Sequence, residues 1–345
     1  MTIIQTDIAF SKGTPSAFVI GSPFQALCAY EAIHEFEIED YEIFVMFENT
    51  DPRTEQLFAS LDYFNLSYTK RPLYKHAFMR ELLKFWDFFW NDGRRRFQRV
   101  FVGDFRSHTY MSLAFKNIKK NGSIIYLDDG NISIDYLKGL YKYTIKEKVI
   151  KIFFQAIALL RRIHVDSLYY TIYSDISTKK CVAKNSFHSL IRKNQTAEQQ
   201  GIFFIGTNPD AYCYAQEIST SQYFELLENQ LSDFKRRYSQ TSAYYVFHGR
   251  DKYKEKTIAI LNKYDFIPLQ LNEIVEMHFI RNNINPLAVT GFMSSALFTI
   301  KKICPVSKIE SIMIEGNATY KNICEYYQTN GIEIKVITGM VLNQG

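Results

Sequence analysis

Cysteine is sparse in this chain. Cys28, Cys181, Cys213, Cys304 and Cys324 are widely spaced, odd in number and free of any CxxC pair. That excludes a disulfide framework and fits buried thiols in a reducing compartment. No uninterrupted apolar run reaches the length of a bilayer span. Met1–Gly13 has no basic region followed by an apolar core, so no secretory signal is expected. Glycine and proline are few, 15 and 8, and neither an internal repeat nor a low-complexity tract is present. Basic residues are not massed: 41 Lys and Arg face 36 Asp and Glu, a net charge of +5. So mild a balance suits anionic substrates or a membrane surface and argues against a nucleic-acid binder. The expected setting is cytoplasmic.

The chain has 345 residues, room for two domains that each bury a core. Apolar residues make up 47% and charged residues 22%, a globular composition. Phenylalanine (28) and tyrosine (24) are abundant, enough to fill cores and line a cleft as well. Short apolar runs alternate with helical stretches from end to end. Strands are predicted at Ala17–Gly21, Glu42–Phe47, Val100–Gly103 and Ser123–Leu127. Helices are predicted at Pro23–Phe36, Pro52–Tyr63 and Tyr110–Lys120, with one or two over Tyr136–His164. The polar stretch Ser174–Gln200 has weak periodicity and is the candidate linker. Alternation then restarts, with strands at Gly201–Gly206, Ala243–Phe247, Phe266–Leu269, Leu287–Gly291, Ile309–Ile314 and Ile332–Ile337. The second block has a largely helical Ala211–Tyr238, and helices at Lys254–Lys263, Asn272–Ile280 and Tyr320–Gln328. Two such blocks imply two parallel-sheet α/β domains, residues 1–190 and 191–345. Parallel sheets bind ligands at the carboxyl ends of their strands, so the polar clusters there are where chemistry belongs.

Three clusters fit that rule. In Asp128-Asp129-Gly130, two adjacent carboxylates repel, and a partly buried one has its pKa raised, which suits a general base. Gly130 lets the backbone turn close to a ligand. In His248-Gly249-Arg250, an imidazole and a guanidinium beside glycine make an anion site. Ser294 and Ser295 open a helix, where hydroxyls and first-turn N–H groups hold phosphate. Each cluster alone has a plainer reading. Asp-Gly is a common turn, a strand-end histidine is commonly structural, Arg250 has Asp251 beside it, and serine is an ordinary helix cap. A metal site at the acidic pair would need further ligands nearby, and none stands at ligand spacing. Gly21-Ser22-Pro23-Phe24-Gln25 also joins a strand to a helix. Gly21 permits close approach, and Pro23 fits a first helical turn.

Their order along the chain adds weight. Leu127-Asp128-Asp129-Gly130, Phe247-His248-Gly249-Arg250 and Gly291-Phe292-Met293-Ser294-Ser295 resemble the acidic-pair-Gly, His-Pro and Ser/Thr-rich motifs of bacterial sialyltransferases. These are the lipooligosaccharide enzymes of glycosyltransferase family 52 and the capsular polysialyltransferases of family 38. Ile20-Gly21-Ser22-Pro23-Phe24-Gln25-Ala26-Leu27 is similar to their opening segment. Phe266-Ile267-Pro268-Leu269 with Glu273 stands where they show a proline and an acidic residue. Gly249 replaces the family's proline.

The resemblance implies a GT-B architecture, two Rossmann-like domains facing across a cleft. It implies an inverting, metal-independent transfer with no cofactor, from CMP-sialic acid or a related CMP-nonulosonate to a glycan of capsule or lipooligosaccharide. The acceptor-side domain would carry Asp129 or Asp128 as base, and the donor domain His248 on the CMP phosphate. Ser294, Ser295 and Arg250 would hold that phosphate. Gly21, Ser22, Gln25, Gly130, Gly249, Gly291, Pro268 and Glu273 complete the implied substrate-binding set. Two rivals stand beside this reading. One is a GT-B transferase using a UDP-sugar or CMP-Kdo; the other is a non-catalytic carbohydrate- or nucleotide-binding protein. Finally, Tyr141–Ile163 mixes lysines with apolar residues. Its default reading is a helix with one apolar face in the core and solvated lysines. The alternative is contact with the inner membrane, where a lipid-linked acceptor would lie.

Overall fold

The computed structural model describes residues 10–73, 97–193, 198–304, 306, 308–315 and 320–338. They form two compact units, residues 1–189 and 190–345.

The first unit is a parallel sheet in the order β3-β2-β1-β4-β5-β6-β7. Its strands are β1 (Ser16–Ile20), β2 (Tyr41–Phe47), β3 (Tyr68–Pro72), β4 (Phe97–Val102), β5 (Ile118–Leu127), β6 (His164–Thr171) and β7 (Cys181–Lys184). Helices α1 (Pro23–Glu35), α2 (Arg53–Tyr63), α3 (His108–Asn117), α4 (Ile132–Leu137), α5 (Ile145–Arg161) and α6 (His188–Lys193) lie between or after them. Parallel strands need crossovers, and helices on both faces leave the central strands dry. β1 is accordingly buried along its whole length. Stacked Phe18 and Phe101 and the edge-on pair Phe36 and Tyr170 fill the space beside it.

The second unit repeats the plan. Its strands are β9 (Ile202–Ile205), β10 (Ala243–Val246), β11 (Phe266–Leu269), β13 (Ala288–Phe292), β14 (Lys308–Ile314) and β15 (Glu333–Ile337). They run parallel in the order β11-β10-β9-β13-β14-β15. Short β8 (Glu198–Gln199) and β12 (Ile284–Asn285) pair separately. The helices are α7 (Pro209–Gln216), α8 (Thr220–Arg237), α9 (Lys254–Lys263), α10 (Val275–Arg281), α11 (Ser295–Ile303) and α12 (Lys321–Thr329). Counted within the sheet, the order is 3-2-1-4-5-6, that of the dinucleotide-binding Rossmann fold, and the first sheet follows it with one strand added. Each sheet therefore has a switch point where strand order reverses, between β1 and β4 and between β9 and β13.

The structure refines three expectations. The candidate linker Ser174–Gln200 contains the boundary between the two units, at 189/190, but much of it is structured: it supplies β7, paired with β6, and α6, whose Ser189 N–H donates to Glu31 at 3.1 Å. An edge strand of four residues has one partner and little apolar demand, so it leaves no periodic trace. Residues 194–197 of that stretch lie outside the described residues. The stretch Ala211–Tyr238 is largely helical, as expected, and is divided into two helices. Glu217 takes a left-handed conformation (φ 55°), and a Ser219–Gln222 capping box starts α8. The expected Tyr136–His164 helices end at Arg162, left-handed as well (φ 54°), and His164 opens β6.

Candidate functional site

In the first unit, one glutamine gathers three strand ends. β1 runs into Gly21; the Ser22 hydroxyl caps α1 by accepting the Gln25 N–H at 3.2 Å, with Pro23 in the first turn. Gln25 is buried and points back over the sheet edge. Its Oε1 accepts from the Gly21 N–H at 2.8 Å. Its Nε2 donates to the Gly103 carbonyl after β4 and to Asp129 Oδ1 after β5, both at 2.9 Å. A Cβ on Gly103 would fall 2.2 Å from Gln25 Oε1, so only glycine leaves room for this stitch. The Tyr110 hydroxyl fills the place a Cβ would take on Gly21.

The two aspartates of the pair have different surroundings. Asp128 is 1% exposed. Its Oδ1 accepts from the Thr171 hydroxyl at 2.6 Å and its Oδ2 from the Ile172 N–H at 2.8 Å, which ties the end of β5 to that of β6. Burial pushes its pKa up to about 7 against the pull of these bonds. Asp129, the next residue, keeps 23% of its side chain exposed. Oδ1 takes the Gln25 amide, and Oδ2 takes a terminal nitrogen of Arg106. Its N–H donates to the Ser133 hydroxyl at 3.0 Å. Burial, and then the nearby Asp104 carboxylate, push it up to about 6, with Arg106 and Gln25 opposing. Gly130 turns the chain at φ +67°. Asp129 is thus a carboxylate of raised basicity at the accessible edge of the sheet, and Asp128 an internal clamp.

Arg106 and Asp104 escape sequence reasoning, although Gly103-Asp104-Phe105-Arg106 directly after a buried strand was the available signal. Arg106 Nε donates to Asp104 Oδ1 at 2.8 Å while its fork reaches Asp129. Beside it lies a small hollow lined by Phe105, Tyr126, Tyr136, Tyr143, Phe154 and Lys151.

In the second unit the other two clusters flank the end of β9. The Gly206 N–H donates to the Val246 carbonyl at 2.9 Å, holding β9 against β10. Beyond β10, His248 sits half-buried in a turn closed by the Asp251 N–H on its carbonyl at 2.9 Å. Its Nδ1 accepts the Arg250 N–H at 3.1 Å, so the neutral ring carries its proton on Nε2. Arg250 is exposed, and Gly249 lies between the two in the turn. On the far side of β9, Gly291 sits opposite Ile205 in β13, where a Cβ would come 2.5 Å from the Ile205 carbonyl. β13 then delivers Ser294, whose hydroxyl accepts the Ala296 N–H at 3.3 Å, and Ser295 begins α11. The Tyr327 hydroxyl fastens the Ser294 carbonyl at 2.8 Å. An imidazole and a serine-capped helix start therefore follow the two strands that flank β9, groups able to bind a phosphate.

Two further residues belong to the neighbouring edge strand β11 and the segment after it. Pro268 lies inside β11, exposed on the sheet's edge, where a missing N–H costs no ladder bond. Glu273, beyond the end of β11, is ion-paired with Arg281 at 3.0 Å, and the His278 ring nitrogen Nδ1 lies 3.5 Å from its carboxylate. Its carboxylate braces α10. Among the described residues, no group of three or more His, Cys, Asp or Glu is placed to hold a metal ion.

No family model matches the sequence, and no curated protein matches it. Solved structures do match. The chain has the GT-B fold. A 2,6-sialyltransferase of a Photobacterium species, solved with the donor product CMP and the acceptor substrate lactose, aligns at TM-score 0.50 and 14% identity, over 93% of this chain and 78% of that one. A sialyltransferase from Photobacterium damsela aligns at 0.51 and 14%, over 94% and 82%. A putative UDP-N-acetylglucosamine 2-epimerase from Listeria monocytogenes aligns at 0.52 and 11%, over 88% and 79%. At these identities the likeness is one of fold.

Proposed function

We propose that this chain is a cytoplasmic, inverting, metal-independent glycosyltransferase. It moves sialic acid or a related nonulosonic acid from a CMP donor to a glycan of capsule or lipooligosaccharide, in the manner of the sialyltransferases of families 52 and 38. The observation that carries the reading is the Gln25–Asp129 hydrogen bond. It joins the opening segment and the acidic motif, two stretches that resemble those families and stand 104 residues apart, at one strand-end site. The His-Gly-Arg and Ser-Ser motifs likewise flank one strand, β9.

In this reaction the acceptor oxygen attacks the anomeric carbon as the bond to the CMP phosphate breaks. Asp129 takes the acceptor proton; its raised basicity suits that task better than an ordinary carboxylate would. Arg106 holds Asp129 in place and keeps part of its charge balanced until substrate arrives. Electrons of the breaking bond go to the phosphate, where His248 Nε2–H, the Ser294–Ser295 helix start and Arg250 receive the growing charge. CMP carries one phosphate, so fixed protein donors can do what a divalent ion does for diphosphate donors.

A second reading has one observation in its favour: the epimerase that shares the fold is named for a UDP-sugar. Thermal-shift screening separates the two. Stabilisation by CMP and CTP is expected, and stabilisation by UDP with no response to CMP would move the donor to that class. The decisive assay is CMP release from CMP-nonulosonic acids in EDTA. Release should proceed, and Asp129→Asn and His248→Ala should each slow it about a hundredfold or more. Wild-type turnover in a folded Asp129→Asn protein would remove Asp129 from the base role, and strict dependence on added Mg²⁺ or Mn²⁺ would remove the metal-free mechanism.

A further inference from the structure

Helix α5 has two apolar faces, and the core uses only one. Ile150, Phe154, Ile157 and Ala158 are buried against the first unit, where the buried Arg161 donates to the carbonyls of Phe115 and Ile118. On the opposite side, Ile145 (82% exposed), Val149 (59%), Ile152 (66%), Leu159 (81%) and Leu160 (68%) face solvent, with Leu140 (50%) just before the helix. These are six of the ten large hydrophobic residues exposed among the described residues, so the exposure is concentrated on one segment. On a helical projection the five in α5, with exposed Ala156, fall within about 100° of arc, a stripe as wide as a core-facing one. The helix is 17 residues long, about 26 Å, and none among the described residues is long and apolar enough to cross a membrane.

Charge decides what covers this ridge. Exposed Lys146 and Lys148 border it on either side, and exposed Lys142 and Arg162 stand at its two ends. The single acidic residue of α5, Glu147, is already engaged: its carboxylate accepts the Thr144 N–H at 2.7 Å and the Tyr141 hydroxyl at 2.9 Å. A second copy seated on the ridge would bring lysine borders against lysine borders. An anionic lipid surface instead meets the apolar stripe with acyl chains and the lysines with headgroups, while lysine stems lie along the apolar boundary.

We infer that α5 lies in the plane of an anionic bilayer, with Ile145, Val149, Ile152, Leu159 and Leu160 immersed and Lys142, Lys146, Lys148 and Arg162 at the headgroups. The inference rests on exposure and charge, not on the proposed reaction. The inner face of the same helix lines the aromatic hollow through Ile150, Lys151 and Phe154, so docking would hold that hollow close to the lipid surface.

Co-sedimentation of the full chain with vesicles tests it. Binding to equimolar phosphatidylcholine–phosphatidylglycerol vesicles is expected, at least tenfold stronger than to phosphatidylcholine alone and weakened by salt. Lys146→Gln and Lys148→Gln should each lower it about fivefold. The double variant Ile152→Asn, Leu159→Asn should lose it while melting at the wild-type temperature, because both side chains are exposed. The inference fails if wild type ignores anionic vesicles, or if the double variant binds them as wild type does. It also fails if sedimentation equilibrium shows a dimer that this variant splits while neither protein binds lipid. CMP release measured on a soluble acceptor without vesicles reports the proposed reaction separately and should not change in any of these variants.

Discussion

Replacing Arg106 with glutamine perturbs the site through one ion pair. Asp129 is held near pKa 6 because burial and Asp104 raise it while Arg106 and Gln25 pull it down. Arg106 and Asp129 are 25% and 23% exposed, so water screens their attraction only in part. An arginine beside an aspartate lowers the carboxyl pKa by about one to three pH units, and its removal should raise Asp129 by that amount. Asp104 would then lose the guanidinium that now neutralises it and repel Asp129 further. The acid limb of kcat/KM, which reports ionisations of the free enzyme, should move from near pH 6 to about 7–9. The activity lost at pH 6 should return at alkaline pH. Initial rates of CMP release across that range provide the assay. Arg106→Lys, which keeps the charge, should leave the limb close to wild type. A limb that stays within half a pH unit in Arg106→Gln, or moves downward, would refute the assignment of Asp129 as the titrating base.

Two further outcomes follow from the same geometry. Asp128 is raised to about 7 in the folded chain and titrates near its ordinary value when unfolded. Between those values the folded state holds a proton that the unfolded state has released, so the group's contribution to stability is full at acid pH and declines as pH rises toward 7. Urea melts of Asp128→Asn should lack this component, which amounts to at most about 1.4 kcal/mol per pH unit over the window; parallel stability profiles for variant and wild type would contradict it. Gly291→Ala should destabilise the protein by about 1–3 kcal/mol, because the new methyl meets the Ile205 backbone carbonyl and two paired strands cannot part cheaply. An unchanged melting temperature would mean that β9 and β13 are not so closely packed.

Much of the architecture was legible in the chain because buried parallel strands must be apolar on both faces. AFVI, IFVM, IIYL, IFFI and LAVTG mark themselves in any reading. The edge strands β3 and β7 did not, since a strand with one neighbour and one wet side can be polar. The ends of β1, β5, β10 and β13 were legible as polar clusters after apolar runs. Arg106 was not, because it follows its strand by four residues and acts through contacts with Asp104 and Asp129 that no local pattern encodes.

Composition and alternation by themselves determined that the chain builds two α/β units with its polar clusters at strand ends. Tertiary structure alone decided which of Asp128 and Asp129 is buried. Adjacent residues at a strand end point opposite ways, and the Thr171 hydroxyl at the end of β6 and the Ile172 N–H just after it, 43 and 44 residues on, select the one drawn inside. It also decided which face of α5 is covered. Periodicity shows that a helix has apolar faces, but whether a face is covered depends on what the rest of the chain brings against it, and nothing in the described residues covers Ile152 or Leu159.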